Sequence, residues 1–190
     1  MIIQFDGSRC EQGGAVGVVF ITPQGILIPY SFKLKFLCTN NNAEYEALIL
    51  ALKIAVKLKL KRIKIIEDSL LIINQVKGIY QCKEPLLQKY KALVEKLLKT
   101  FDKFSIEATP RSFNRFADAM ASIGSLILED PKKFSIQVEI IQLSQSSLQQ
   151  EDEEKSVLNI DTTDKNNWYK ELMDFLKLKT LPVNLNKSSR

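Results

Sequence analysis

Four acidic side chains, Asp6, Glu44, Asp68 and Asp118, are the residues of this sequence best suited to act together. Carboxylates at close range repel one another, so a cluster is costly unless protons or a cation fill it. Mg²⁺ takes hard oxygen ligands in octahedral geometry and keeps several waters, and Mn²⁺ accepts similar donors. Two such ions, about 3.5–4 Å apart, can hold a scissile phosphate: one lowers the pKa of an attacking water, the other stabilises the leaving 3′-oxygen. Neither role needs histidine, and the chain contains none. Its absence excludes the Ser-His-Asp and Cys-His hydrolases. Cys10, Cys38 and Cys82 are odd in number and far apart, so they offer neither zinc-site spacing nor a disulfide framework and read as reduced intracellular thiols.

Each carboxylate also has a plainer reading. Asn41 and Glu44 are spaced as a capping box, Asp68 precedes a helix it could cap, and Asp6 before Gly7 could shape a turn. Asp118 is harder to dismiss, because it stands beside Ala117 and Ala119 in a helical stretch where Asp has poor propensity.

The elements that must bring the four together are legible in the hydrophobic periodicity. Met1–Phe5 reads as a short strand ending at Asp6, and Ala15–Ile21 as an internal strand. Thr22-Pro23-Gln24-Gly25 reads as the turn into a return strand over 26–36. After Asn40-Asn41-Asn42 the period changes, and Tyr45, Leu48, Ile49, Leu52 and Val56 predict a helix over 42–59. Lys61–Ile66 reads as a strand and Ser69–Val76 as a short helix closed by Gly78. Pro85 opens another helix, Phe104, Ile106 and Ala108 alternate as a fifth strand, and Phe116, Met120, Ile123 and Ile127 define a final helix. The order β-β-β-α-β-α-α-β-α predicts an α/β fold: a five-stranded mixed sheet, three antiparallel strands followed by crossover-connected ones, flanked by helices. If the first and fourth strands are neighbours, Asp6 and Asp68 share a sheet edge to which helix termini deliver Glu44 and Asp118, and open α/β sheets place ligands beyond strand ends.

Composition divides the chain into 1–129 and 130–190. The first part carries +6 (18 Lys/Arg against 12 Asp/Glu) and the second −1, within a total of +5. A basic body suits a polyanionic partner. In the second part Phe134, Ile136, Val138 and Ile140 alternate as an extended segment, 143–164 is acidic and polar, and Trp168, Tyr169, Leu172, Met173 and Leu176 space as a short amphipathic helix. No apolar run reaches the roughly 18–20 residues of a membrane helix and the start does not resemble a secretory signal, so a cytoplasmic or nuclear, non-secreted, non-membrane protein is expected.

Around the four carboxylates the sequence resembles the ribonuclease H family. Phe5-Asp6-Gly7-Ser8 with Gly13-Gly14-Ala15 and Gly17 is similar to its first motif, and Thr39 through Leu48 to its second. Glu67-Asp68-Ser69 through Gly78 is similar to the third, and Pro110 through Ala121, containing Asn114 and Asp118, to the fourth. The details look most like the domain of plant gypsy-class retrotransposon polyproteins, and residues 166–190 resemble the connector that follows it there. The resemblance implies an endonuclease that cuts the RNA strand of RNA–DNA hybrids, with Asp6, Glu44, Asp68 and Asp118 as catalytic ligands of two Mg²⁺ ions, Mn²⁺ being an alternative. It places Gly7, Ser8, Asn40, Asn41, Asn42, Ser69, Gln75, Lys83, Lys89 and Asn114 at the substrate. Fusion or association with reverse transcriptase or integrase modules, and a monomeric state for the isolated domain, follow from the same likeness. The chain departs from the family in lacking the histidine before the last carboxylate helix and a basic protrusion between residues 78 and 85. Those departures point to an alternative, a weakly active or inactive nucleic-acid-binding remnant. Glu67 adds a further charge beside Asp68.

Overall fold

The computed structural model describes residues 1–11, 13–126 and 140–154, all within one compact unit, Met1–Glu154. Strands β1 (Ile2–Cys10), β2 (Gly13–Ile21) and β3 (Leu27–Leu34) form the antiparallel meander. Helix α1 (Asn40–Lys57) leads into β4 (Arg62–Glu67), then α2 (Leu70–Val76), α3 (Pro85–Leu98), β5 (Lys103–Ala108) and α4 (Arg115–Leu126). The chain continues into β6 (Ile140–Leu143) and α5 (Ser147–Glu154). The sheet runs β5-β4-β1-β2-β3-β6, with β4 parallel to β1 and β5 parallel to β4, so the first and fourth strands are neighbours.

β2 is buried along nearly its whole length because helices cover both sheet faces, α1 packing on β1 and β2 and α4 on β1, β2 and β3. That two-sided burial explains its continuous apolar run, where a half-exposed strand would alternate. Between the sheet and α3, Tyr45, Leu48, Ile49 and Leu52 of α1 are fully buried.

The expected five strands are joined by a sixth. β6 pairs parallel with β3, from Ser31↔Ile140 to Leu34↔Leu143, and removes the exposed edge that β3 would otherwise present. The division at 129/130 therefore does not coincide with the end of the packed body, which includes 140–154. Glu46 of α1, with no exposed surface, secures this return. Its carboxylate accepts the Ser147 N–H at 2.9 and 3.2 Å and the Tyr90 hydroxyl at 2.7 Å. Burial raises the Glu46 pKa, and the bonds from Ser147 and Tyr90 lower it. Ser146 and Gln149 bond reciprocally as a capping box at the start of α5. The alternating segment up to Val138, the amphipathic helix around Trp168 and the connector-like stretch 166–190 lie outside the described residues.

Candidate metal centre

Asp6 sits in the interior of β1, which continues to Cys10, so it is not the strand end or turn former of the sequence reading. Its register partner across the sheet is Gly17. A Cβ on Gly17 would overlap the Ala117 carbonyl oxygen and crowd the Ala121 nitrogen, so α4 lies directly on the backbone of β2 at that point. A Cβ on Gly7 would overlap the Ala43 carbonyl and the Glu44 nitrogen, so the first turn of α1 rests on β1 in the same way. Two glycines therefore let the helices carrying Glu44 and Asp118 approach the strand carrying Asp6.

The capping roles considered for the carboxylates fall elsewhere. Thr39 caps α1, its hydroxyl accepting the Asn42 N–H at 3.2 Å and donating to Asn42 Oδ1 at 2.8 Å. Glu44 is thereby released and accepts the Ser69 hydroxyl at 2.7 Å. Ser69, not Asp68, holds the N-cap position of α2. Asp118 lies in the first turn of α4, where the helix dipole favours an acid, so its placement costs less than a mid-helix reading implies.

Oxygen atoms of Asp6, Glu67 and Asp68 all lie within 4.8 Å of one another, close enough to share a cation. Glu44 and Asp118 stand outside that group but within its electrostatic reach. Burial raises the Asp6 pKa to about 6, helped by the charges of Asp118 and Asp68 and opposed by Arg111 and the Gly7 N–H. Glu44 is raised chiefly by burial; the Ser69 bond opposes this, while Asp6 and Asp68 add to it. Glu67 is pushed up to about 10 by burial, by its hydrogen bond to Asp68, and by the charges of Asp68, Asp6 and Glu44. At neutral pH it is a neutral acid.

Glu67 is the member of the cluster that the sequence reading counted only as an added charge. Its signal was the alternation of β4: Ile63 and Ile65 face the core, and one further step of two turns Glu67 inward with them.

Asn114 ties the centre together. Its amide nitrogen lies 2.9 Å from the Phe5 carbonyl, 3.1 Å from Glu67 and 2.9 Å from Asp68, linking β1 to the end of β4. Only 1% exposed, it is a brace inside the site, with almost no surface in this state for the substrate contact expected of it. Gln75 likewise is buried and accepts the Tyr45 hydroxyl at 2.9 Å, which makes it part of the core. Asn42 is buried in the helix cap, Gly7 beneath α1. Asn40 and Asn41 bracket an exposed α1 start, where Asn40 accepts the Arg9 N–H at 2.9 Å. Ser8 is half-buried on β1, and Lys83 and Lys89 are exposed at the start of α3. Arg111 supplies the nearby positive charge: it bonds Asp118 at 2.9 Å and lies 4.0 Å from Asp68.

Comparison with known proteins agrees with this architecture. The profile of the family described as "Reverse transcriptase-like" matches residues 4–124. Ribonuclease HI of Halobacterium salinarum is 37% identical over 120 residues, 62% of this chain and 60% of that protein. Its crystal structure superposes with a TM-score of 0.62 at 32% identity, covering 65% of this chain and 95% of that one. LC11-RNase H1, solved in complex with an RNA/DNA hybrid, gives a TM-score of 0.59 at 28% identity over 65% of this chain and 95% of its own. A bifunctional protein of Mycobacterium tuberculosis is 31% identical over 125 residues, 64% of this chain. The chain spans 60% and 34% of the lengths of the Halobacterium and mycobacterial proteins. With the sheet order, the acidic centre and a profile match over more than half its length in accord, the chain belongs to the reverse transcriptase-like family and is a ribonuclease H-like domain.

Proposed function

We propose that the chain hydrolyses the RNA strand of RNA–DNA hybrids, with divalent metal held by Asp6, Glu44, Asp68 and Asp118. The observation that supports this reading is the cluster of Asp6, Glu67 and Asp68 oxygens within 4.8 Å of one another, with Glu44 of α1 and Asp118 of α4 near enough for charge coupling to Asp6. The residues fit a hard cation. All donors are carboxylate oxygens, and without a cation the crowding is relieved by protons, on Glu67 fully and on Asp6 up to a pH of about 6. Bound Mg²⁺ or Mn²⁺ would supply a water of lowered pKa and charge stabilisation for the leaving oxygen. We favour two ions, since four carboxylates from four elements exceed what one Mg²⁺ uses while keeping its waters.

The chain's own side chains do the positioning. Ser69 orients Glu44, Asn114 fixes Asp68 against β1, and Arg111 neutralises Asp118 and Asp68 from the solvent side. The exposed Asn40 and half-buried Asn41, with Lys83 and Lys89, are the polar and cationic groups available to a hybrid, and the hybrid bound by LC11-RNase H1 supports that substrate. The plant gypsy-class likeness adds an origin next to reverse transcriptase and integrase modules, with 166–190 as connector and a monomeric isolated domain.

The test is nicking of a labelled hybrid across a Mg²⁺ and Mn²⁺ series. Asp68→Asn is expected to lose more than the ~10–100-fold typical of a residue one step removed from a metal. An unchanged rate would overturn the mechanism. Salt-sensitive hybrid binding with no cleavage in either metal would favour the inactive remnant.

A further inference from the structure

The end of the sheet where β1, β4 and β5 begin carries a concentration of cations that the metal centre does not use. Lys57 closes α1, Lys59 and Lys61 fill the loop after it, and Arg62 opens β4. Lys99 follows α3 and Lys103 opens β5. All six are exposed, and none pairs with a carboxylate among the described residues. The two loops are joined, because the Lys103 N–H donates to the Lys61 carbonyl at 3.2 Å and Arg62 and Lys103 are register partners. Asp102 is the only acid within 57–62 and 99–103.

Cations at helix C-termini offset the helix dipole, and that accounts for Lys57 and Lys99. It does not account for Lys61, Arg62 and Lys103, which stand in a loop and at strand starts. Nor does it account for Lys59, the only non-glycine described with positive φ, at 54°. That left-handed position favours glycine or asparagine, and a lysine is unfavourable there.

Between these cations lies a shallow cavity of about 270 Å³, lined by Met1, Ile2, Arg62, Lys64, Lys103 and Phe104 among others. Lys64 is paired with Glu107 at 2.8 Å, which leaves Arg62 and Lys103 as its available side-chain charges. Phe104 is 44% exposed on the edge strand; the two-residue alternation of β5 turns its ring to the sheet face opposite Lys103, so a chain crossing that edge meets cations on one side and the ring on the other. An acidic peptide or a lipid surface answers the charge and can bury the ring, but neither repeats an anion and a flat ring at every unit. A single nucleic-acid strand uses both, phosphates on the cations and a base on the aromatic face. β4 spans Arg62 to Glu67, so this surface lies on the order of 16 Å along the strand from the carboxylates and is a separate site.

We propose that this end of the sheet is a second nucleic-acid-binding surface, on which Lys59, Lys61, Arg62 and Lys103 hold the phosphates of a single strand and Phe104 stacks a base. Such a surface tethers the domain to flanking single-stranded nucleic acid and raises the local concentration of any duplex region joined to it.

The experiment is fluorescence-anisotropy titration of the full chain with labelled oligo(dT) in EDTA, where the metal centre does not contribute. Lys59→Glu/Lys61→Glu/Lys103→Glu is expected to weaken binding at least tenfold and lower the slope of log affinity against log salt by about 2. Phe104→Leu, which keeps apolar bulk, is expected to weaken binding about fivefold or more at unchanged melting temperature. Oligo(dT) affinity unchanged in both variants overturns the proposal, as does wild-type binding to phosphatidylserine vesicles with none to oligo(dT). Nicking of a short blunt hybrid is expected to be the same in wild type and variants. Loss of oligo(dT) binding without any hybrid nicking in wild type would uphold this surface while refuting the cleavage reading.

Discussion

Glu67 shows how much a single side chain can alter a cluster. A buried acid whose folded pKa is raised binds a proton that the unfolded chain has already released, so stability falls as pH rises across that interval. For Glu67 the interval runs from its ordinary 4.5 to about 10, and for Asp6 from 3.8 to about 6. The metal-free protein should therefore be most stable below pH 3.8 as far as these two groups are concerned, and lose stability steadily toward pH 10. Glu67→Gln keeps a hydrogen-bond donor toward Asp68 but cannot ionise. At pH 9 in EDTA it should melt higher than wild type by roughly 3–6 °C, with the difference vanishing near pH 4. Melting curves at the two pH values check this, and an equal gain at both would mean that Glu67 does not titrate with folding. Hybrid cleavage at limiting Mg²⁺ should rise as pH passes through about 6, because Asp6 must be a carboxylate to bind a cation.

Among the elements, the closeness of helix to strand decides whether the carboxylates meet. Gly17 and Gly7 act by lacking a side chain: α4 and α1 lie where a Cβ would be. Gly17→Ala cannot be relieved by rotating a flexible side chain, since the obstruction is the Ala117 carbonyl and the backbone of α4. It should cost about 1–3 kcal/mol in urea unfolding and move Asp118 away from Asp6. Cleavage should fall further than the loss of folded protein explains, and a variant with full activity and wild-type unfolding would show that α4 can shift without consequence. Gly17 stands inside an apolar strand run in the sequence, and only the packed structure shows that it serves contact between elements.

For the whole molecule, the return of the chain after α4 covers the β3 edge with the short strand β6 and supplies the Ser147 partner of Glu46. Ending the chain at residue 130 would remove β6 and α5, leaving the β3 edge unpaired and the Glu46 carboxylate without its Ser147 partner. An orphaned buried acceptor costs about 1–3 kcal/mol, so the truncated protein should melt roughly 3–10 °C lower. Thermal unfolding followed by circular dichroism measures this. An unchanged melting temperature would mark 140–154 as dispensable to the body.

Element types and their order were legible because apolar periodicity follows local geometry: two for strands, 3.6 for helices, and a long apolar run where β2 is covered on both faces. The candidate carboxylates were legible for a related reason, as acids breaking apolar patterns at strand and helix boundaries. Which of them share a coordination sphere was not, because that depends on distances between elements far apart in sequence. Only the packed structure brought Glu67 beside Asp6 and Asp68, buried Asn114 and Gln75 in hydrogen bonds between elements, and added β6 to the edge of β3. Patterns along a chain fix which face of each element is apolar; how closely those faces approach is set by backbone contacts that no periodicity records.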